Sequence, residues 1–418
     1  MIIIFEPQCI GFAHEQFNAA FLYGYSLAYP NEKIIYFAEK EHLKCVKHVF
    51  NSANLSLNEI VFTEIEIPES NSLANPRVVF EYSRILKNLL SYAYKNDCNK
   101  IVFLSIYTYS LIPLKYLLQF KYNNSIQVHI AMHGILEFIK RKNFLLLSEF
   151  YQKVERRFRK FFGIANIQLK YKLKNKYLYE KLFKISLQLF SNKNITYFVF
   201  REDSLKKIKE YLPKIHKHFN SIDLPYIYKN VKNNHELEFS NLKIFATFEK
   251  GYTNKLNEVV QILSQDSVLA NNFEIRIIGG IANEKLTIFK QIKYVGINGK
   301  LSRKEIEEYI RDVKYLLFFY DPDSYELTTS GAFFDAIAYC KPIIFLKNHC
   351  LDYYYDNYKF GYRCNNIDEL ISAMKRIILS DEINYQGFVS EIIRMHQDTV
   401  IRNNYYKLKF NEENKYEH

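Results

Sequence analysis

One stretch of the sequence, residues 321–346, has the order of residue types that a phosphate site needs. It reads DPDSYELTTSGAFFDAIAYCKPIIFL, so a polar loop leads through Ser330 and Gly331 into an apolar segment with helical spacing. Residues 315–320 before it, YLLFFY, are all apolar or aromatic, which is typical of a strand buried on both faces of a parallel sheet. The first backbone N–H groups of a helix placed after such a strand point at the loop and favour an anion. The pattern therefore predicts phosphate binding at the start of this helix.

Two histidines of the first half also follow predicted strands. His14 and Glu15, which we expect to take part in catalysis, stand at the mouth of a helix that follows the first strand and its loop. His133, followed by Gly134, ends a later strand in IQVHIAMHGILEFI. Histidine suits the role of a general base because its pKa lies near the working pH. A structural role remains the alternative for each histidine.

The elements that position these residues follow from the alternation of apolar, strand-like runs with helix-like runs. This alternation indicates parallel sheets flanked by helices. A chain of 418 residues exceeds what one core usually supports, so we expect two domains, at residues 1–222 and 242–388. The polar, proline-containing residues 223–241 would link them. Eight of the twelve glycines follow this linker, Gly279 at a strand end among them, and glycines there let a backbone approach a ligand closely.

Residues 138–190 interrupt this rhythm. They mix Phe, Tyr and Leu with Lys and Arg at roughly helical spacing. One interpretation is a helical insertion whose aromatic stripe lies in the core. The other is a basic amphipathic surface that lies on anionic lipid. Both remain open at the level of sequence.

Charge and cysteine usage indicate a cellular setting. The net charge is +12 and the isoelectric point is near 9.0, values that favour contact with a polyanion or an acidic membrane. A nucleic-acid-binding protein is one rival function, but no recognised RNA- or DNA-binding motif supports it. The six cysteines are scattered without metal-site spacing, the N-terminus lacks a signal-peptide pattern, and no stretch is long enough to cross a bilayer. We therefore expect a cytoplasmic protein.

The turns of the second half follow one another in a recognisable order. IFATFEKGYTNK turns after a strand, EIRIIGG ends another strand, and GKLSRKEIEEYI opens a helix with Ser302 and Glu305 at capping-box spacing. The loop and helix of residues 321–346 come next. This succession, over about residues 242–380, resembles the C-terminal domain of GT-B glycosyltransferases, in particular the large retaining group 1 that includes enzymes of bacterial surface-polysaccharide synthesis.

The resemblance implies an α/β fold of two Rossmann-like domains that face each other across a cleft. The first domain would bind a saccharide or lipid-linked acceptor, and the second a nucleotide-sugar donor. A final helix within residues 389–418 would cross back to the first domain. The resemblance further implies transfer without a metal or other cofactor, because such enzymes neutralise the diphosphate with basic side chains and helix N-termini. The enzyme would work in the cytoplasm, on the inner face of the plasma membrane if it binds lipid.

The resemblance also assigns roles to single residues. Lys250, Ser330 and Gly331 would hold the donor diphosphate, and Asp335 would hold the ribose. The alternative for Lys250 is an exposed turn lysine, and the alternative for Asp335 is a carboxylate that stabilises a helix end. Glu326 would face the sugar, although eight residues separate it from Asp335 where the family has two glutamates separated by seven. Cys340 also replaces the usual family glycine before Lys341 and Pro342.

Two further alternatives concern the chemistry. A GT-B fold also serves sugar-nucleotide epimerisation, which would use the same donor site without an acceptor. Asp321 and Asp323 form a D-x-D sequence similar to the metal-binding motif of other glycosyltransferases. Their position between a buried strand and a phosphate-site helix favours a loop role, so we predict no metal site there.

Overall fold

The computed structural model describes residues 1–57, 59–67, 76–122, 125–140, 183–228, 242–248, 253–279, 284–296, 301–379, 384–398 and 407–408. Over this part of the chain it contains two parallel β-sheets, each in its own α/β domain. The strands of the first sheet are β1 (Ile2–Phe5), β2 (Ile34–Ala38), β3 (Ile60–Glu64), β4 (Lys100–Phe103), β5 (Gln127–Ala131), β6 (Ile195–Val199) and β7 (Phe219–Ser221). Those of the second are β8 (Lys243–Phe248), β9 (Phe273–Ile278), β10 (Ile292–Val295), β11 (Tyr315–Phe318), β12 (Ile343–Leu346) and β13 (Gly361–Cys364).

Helices connect the strands in both domains. The α-helices of the first domain are α1 (Glu15–Ala28), α2 (Lys40–Ser52), α3 (Pro76–Lys95), α4 (Leu111–Phe120) and α5 (Glu202–Tyr211), with further helical residues at 183–188. Those that follow β8 are α6 (Thr253–Ser264), α7 (Ser267–Ala270), α8 (Glu284–Thr287), α9 (Arg303–Ile310), α10 (Gly331–Ala338), α11 (His349–Tyr355), α12 (Ile367–Leu379) and α13 (Tyr385–Gln397). Short 3₁₀ helices cover Thr108–Ser110, Leu136–Ile139 and His216–His218.

Both sheets reverse their strand order beside their first strand. The first sheet has the order β3-β2-β1-β4-β5-β6-β7, and the second has the order β10-β9-β8-β11-β12-β13. All four residues of β1 and of β11 are buried, as expected for strands covered on both faces. Ligands of open parallel sheets bind where the order reverses, outside the carboxyl ends of the strands. That point lies after β1 in one domain and after β8 and β11 in the other.

A fully buried arginine of the first domain holds a loop of the second. The Arg201 guanidinium, just before α5, donates hydrogen bonds to the backbone carbonyls of Tyr325 (2.9 Å), Glu326 (2.7 Å) and Thr328 (2.6 Å). Its Nε also donates to the carboxylate of Asp203 at 2.9 Å. A buried charge is stable only when its hydrogen-bonding groups are satisfied. The loop after β11 therefore keeps this conformation while the two domains are docked.

Two charged residues of the first domain hold the same loop. Glu137 lies within the 3₁₀ helix Leu136–Ile139, and Lys140 follows the end of that helix. Glu137 accepts hydrogen bonds from the backbone N–H groups of Leu327 (2.7 Å) and Thr328 (3.1 Å) and from the Thr328 hydroxyl (3.1 Å). Lys140 pairs with Glu137 and donates to the carbonyl of Asp323 at 2.7 Å. Donors and acceptors of the loop are thus both satisfied by the first domain.

The last described residues contact the first domain. The carbonyl of Leu408 accepts a hydrogen bond from the Tyr29 hydroxyl at 3.2 Å, and Lys407 lies 3.8 Å from the carboxylate of Asp223. Residues 399–406, which lead there from α13, lie outside the described part, as do residues 229–241 of the predicted linker and 141–182 of the predicted insertion. The predicted boundaries at 1–222, 223–241, 242–388 and 389–418 therefore stay predictions.

We predict that Arg201→Met destabilises the protein by about 3 kcal/mol, because three buried carbonyls and Asp203 lose their donor. Arg363→Met is the control, since Arg363 pairs with Asp352 and Asp356 on the surface and should cost under about 1 kcal/mol. Urea-induced unfolding of the three proteins measures the difference. Equal losses for the two variants would contradict the bridging role of Arg201.

Candidate functional site

A cavity of about 710 Å³ lies between the two domains. The first domain lines it with His14, His133, Gly134 and Glu137. The wall formed by the second domain includes Lys255, Asp321, Tyr325, Thr328 and Gly331. A cavity of this volume, at the strand ends of two facing sheets, has the size and position of a small-molecule site.

The structure brings the two predicted histidines together on one wall. The rings of His14 and His133 meet edge to face with their centroids 4.4 Å apart, and His133 also stacks on Phe17 at 4.9 Å. His14 has a left-handed backbone (φ 57°) immediately before α1. Gly134 has a φ of 78°, a conformation that glycine adopts without strain. Two imidazoles in contact can bind a hydroxyl and accept its proton.

On the opposite wall, α10 begins at the predicted Ser-Gly corner. The Ser330 side chain accepts a hydrogen bond from the Phe333 N–H at 3.2 Å and so caps the helix, and its hydroxyl also bonds to that of Tyr320. Gly331 lines the cavity, and a Cβ built on it would meet nothing within 4 Å. The N-terminus of the helix therefore borders open space, where its backbone N–H groups and dipole favour an anion.

A lysine not singled out from the sequence supplies a positive charge to this wall. The Lys255 ammonium, from the first turn of α6, donates to the carbonyl of Phe319 at 2.9 Å and to the Asp321 carboxylate at 2.6 Å. Lys250, the predicted diphosphate ligand, lies outside the described residues. Asp323 is exposed, and within the described part of the chain no three His, Cys, Asp or Glu residues lie close enough to share a metal ion.

Glu15 and Asp335 are joined by an arginine and are not among the residues that line the cavity. The Nε of Arg303 donates to the buried Glu15 carboxylate at 2.7 Å, and its Nη1 pairs with Oδ1 of Asp335. The Tyr226 hydroxyl donates to the same oxygen. Burial, and after it the charge of Asp335, raises the pKa of Tyr226 well above its usual value, so this hydroxyl keeps its proton. Glu15 thus forms a bridge between the domains, and its predicted catalytic role stays a prediction.

Glu326 and Gly279 also lie off the cavity wall. The Glu326 carboxylate lies 3.2 Å from the Lys140 ammonium and 3.5 Å from the Tyr211 hydroxyl, both of the first domain. Gly279 ends β9 with a φ of 75°, beside residues 280–283, which are outside the described part. The roles assigned to Glu326, Gly279 and Asp335 stay predictions.

Glu137, a carboxylate that lines the cavity together with Asp321, was missed by the sequence analysis. Glu137 follows His133 by four residues. The strand end at which His133 was predicted is therefore also the sequence signal for Glu137. Its partners Leu327 and Thr328 are 190 and 191 residues away in sequence, and no local pattern relates them. Lys255 is the last residue of the segment IFATFEKGYTNK, five residues after Lys250. Only the fold shows that its side chain reaches the cavity.

Comparisons with known proteins identify the architecture. The sequence matches no protein-family model and no curated protein. The structure is similar to WaaG, a glycosyltransferase involved in lipopolysaccharide biosynthesis (TM-score 0.58, 9% identity, 98% of each chain covered). It is also similar to a glycosyltransferase from Rickettsia africae (TM-score 0.57, 13% identity, 100% of this chain and 99% of that one). A third similar structure is Anabaena Alr3699/HepE in complex with UDP (TM-score 0.57, 9% identity, 99% of each chain). The predicted fold is thereby confirmed: the chain has the GT-B fold of glycosyltransferases, with two Rossmann-like domains facing each other across a cleft.

Proposed function

We propose that this protein is a glycosyltransferase that moves a sugar from a nucleotide-sugar donor to a saccharide or lipid-linked acceptor. One observation carries the proposal: a single interdomain cavity combines the start of α10 and Lys255 on one wall with His14 and His133 on the other. The first wall suits a diphosphate and the second an acceptor hydroxyl. Anabaena HepE, which shares the fold, was solved with UDP, with UDP-glucose, and with UDP and glucose.

In the proposed reaction, the bond between the donor sugar and the diphosphate breaks as a bond to the acceptor oxygen forms. The acceptor proton passes to a base, for which we propose the pair of His14 and His133. The departing diphosphate gains negative charge, which Lys255, Lys250 and the backbone N–H groups near Gly331 would stabilise. Fixed donors of this kind act without reorganisation at the moment of transfer.

The remaining predicted residues would act around this centre. Asp335 would hold the ribose through Oδ2, since Arg303 and Tyr226 already bond to Oδ1. Glu326 would orient the sugar indirectly, because its backbone carbonyl and carboxylate are both bonded to the first domain. Glu15 would fix the angle between the domains through Arg303.

We further propose a role in bacterial surface-glycan synthesis, on the inner face of the plasma membrane. WaaG, one of the similar structures, is a glycosyltransferase involved in lipopolysaccharide biosynthesis. The chain's positive charge of +12 would draw it to an anionic membrane. In the described part of the chain, no helix has the length and apolar character needed to span a bilayer.

A panel of nucleoside diphosphates and nucleotide sugars tests the proposed function. One nucleotide should raise the unfolding temperature, because a ligand at about one hundred times its Kd adds about 2.7 kcal/mol of stability. With the protecting sugar nucleotide and an oligosaccharide or lipid-linked acceptor, mass spectrometry should detect a glycosylated acceptor. Conversion to an isomeric sugar nucleotide without an acceptor would identify an epimerase instead. Protection by RNA or DNA alone would contradict both enzymes.

Lysine variants make this test specific to the cavity. Lys255→Ala should weaken nucleoside diphosphate binding about tenfold, because one charge-assisted hydrogen bond is lost. Lys293→Ala removes an exposed lysine of the same domain and should leave binding unchanged. Lys250→Ala tests the family assignment in the same assay. Equal affinities for the wild type and Lys255→Ala would remove Lys255 from the site.

We predict that transfer activity survives chelation of divalent ions by EDTA. Cationic side chains and the helix N-terminus would take the place of a metal, and the Asp321 carboxylate is already paired with Lys255. Asp323→Asn should therefore retain full activity. Loss of activity in EDTA, with rescue by Mn²⁺ in the wild type but not in Asp323→Asn, would show that the D-x-D sequence binds a metal after all.

A further inference from the structure

Three aromatic side chains form an exposed cluster on the first domain, away from the cavity walls. Tyr116, Phe120 and Phe190 are 52%, 61% and 37% exposed. Their ring centroids lie 5.1 Å (Tyr116 to Phe120), 5.9 Å (Tyr116 to Phe190) and 6.0 Å (Phe120 to Phe190) apart. Each ring thus contacts the other two while keeping a large solvent-facing area. We refer to these three residues as the aromatic cluster.

The cluster is held rigidly from beneath. Lys115 is fully buried, and its ammonium donates to the carbonyls of Ser186 (2.9 Å) and Leu187 (3.1 Å) near the end of the helical residues 183–188. One turn further along α4, the side-chain oxygen of Gln119 accepts a hydrogen bond from the N–H of Ser191 at 3.0 Å. A positive charge at a helix C-terminus is favourable, and a buried one holds its partners firmly.

These polar contacts determine where the rings lie. Lys115 and Gln119 fix the chain on both sides of Phe190, while Tyr116 and Phe120 follow them by one residue on α4. The contacts between α4 and the chain around Phe190 therefore keep the three rings exposed. Leu189, also exposed, precedes Phe190 and extends the apolar surface. A contiguous apolar patch on an otherwise polar surface marks an interaction site.

The charge of the chain is concentrated next to this cluster in sequence. Residues 141–182 contain twelve Lys and Arg against three Glu, a net charge of +9 out of the protein's +12. This segment joins the described structure at Phe183, seven residues before Phe190. On the described surface, Lys121 follows Phe120 and Lys193 follows Phe190 by three residues, and both are exposed. Aromatic rings beside exposed lysines match the interface of an anionic bilayer.

We propose that the aromatic cluster is the surface through which this protein docks on an anionic lipid membrane. The rings would enter the headgroup region and the neighbouring lysines would contact acidic headgroups. A second copy of the chain is disfavoured as the occupant, because it would bring its own exposed Lys121 and Lys193 to the same surface. The inference does not rest on the proposed reaction, and vesicle binding and nucleotide binding are measured separately.

Sedimentation with vesicles tests the inference on the full chain. The wild type should bind vesicles of phosphatidylcholine with phosphatidylglycerol more tightly than vesicles of phosphatidylcholine alone. The triple variant Tyr116→Ser, Phe120→Ser, Phe190→Ser should bind the anionic vesicles about tenfold more weakly, since the apolar contribution to membrane binding is lost. The control is Val268→Ser, Ile288→Ser, Leu379→Ser, which removes three residues of the second domain that are 59%, 76% and 63% exposed. It should bind like the wild type.

A tryptophan reporter provides an independent readout, because the chain contains no tryptophan. Phe120→Trp should show a blue-shifted emission with anionic vesicles and quenching by brominated lipid. Ile288→Trp, the control in the second domain, should show neither change.

Two results would overturn the inference. One is equal vesicle binding by the wild type and the aromatic triple variant together with an unshifted Phe120→Trp emission, which would assign binding to charge alone. The other is absence of wild-type vesicle binding, and a dimer that the triple variant dissolves would then identify a second copy as the occupant. Nucleotide protection in the triple variant should remain intact, so failure of the membrane inference would leave the proposed reaction standing.

Discussion

The site depends on one constraint, the need of the buried Arg201 guanidinium for hydrogen-bond acceptors. The loop between β11 and α10 supplies three of them, so this loop of the second domain is bound by the first. Asn348 holds the other end of the loop within its own domain, donating to the carbonyls of Asp321 and Ser324 at 2.8 Å each. Tyr325 and Thr328, whose carbonyls Arg201 holds, form part of the cavity wall. The shape of the cavity therefore exists only while the two domains are docked.

A second bridge joins the domains through charge. Arg303 pairs with Glu15 of the first domain and with Asp335 of its own. Any opening of the cleft must break this bridge. It must also break the hydrogen bonds that Arg201 and Glu137 make with the loop between β11 and α10. Removing the partner of a buried charge destabilises the protein by several kcal/mol. Opening of the cleft therefore requires water or a ligand to replace the lost contacts. A ligand that binds Oδ2 of Asp335 would leave this bridge in place, because Arg303 and Tyr226 bond to Oδ1.

Much of the architecture was predictable from local pattern. The strand predicted at residues 315–320 is β11 (Tyr315–Phe318), and α9 begins with the predicted capping box of Ser302 and Glu305. Cys340, which stands where the family has glycine, keeps a left-handed backbone with φ 52°. A left-handed backbone costs about 1 to 2 kcal/mol in a residue with a Cβ, so this position favours the glycine that the resemblance implies.

What the sequence could not predict are weakly patterned strands and contacts across the cleft. β3 has only one buried residue in five and β7 has three residues in all, so neither carries a strong apolar signal. The side chains of Glu137, Lys255 and Arg303 meet partners up to 288 residues away in the chain. The side chain of Glu326 is directed at Lys140 and Tyr211 by the way its loop is held, which residue spacing alone does not specify.

A crystal structure of the protein with the nucleoside diphosphate that protects it would test the assignment of the donor site. We expect the diphosphate to lie in the interdomain cavity, within hydrogen-bonding distance of the Gly331 backbone N–H and the Lys255 ammonium. A nucleotide bound elsewhere, with the start of α10 and Lys255 unchanged, would contradict the assignment of this cavity as the donor site.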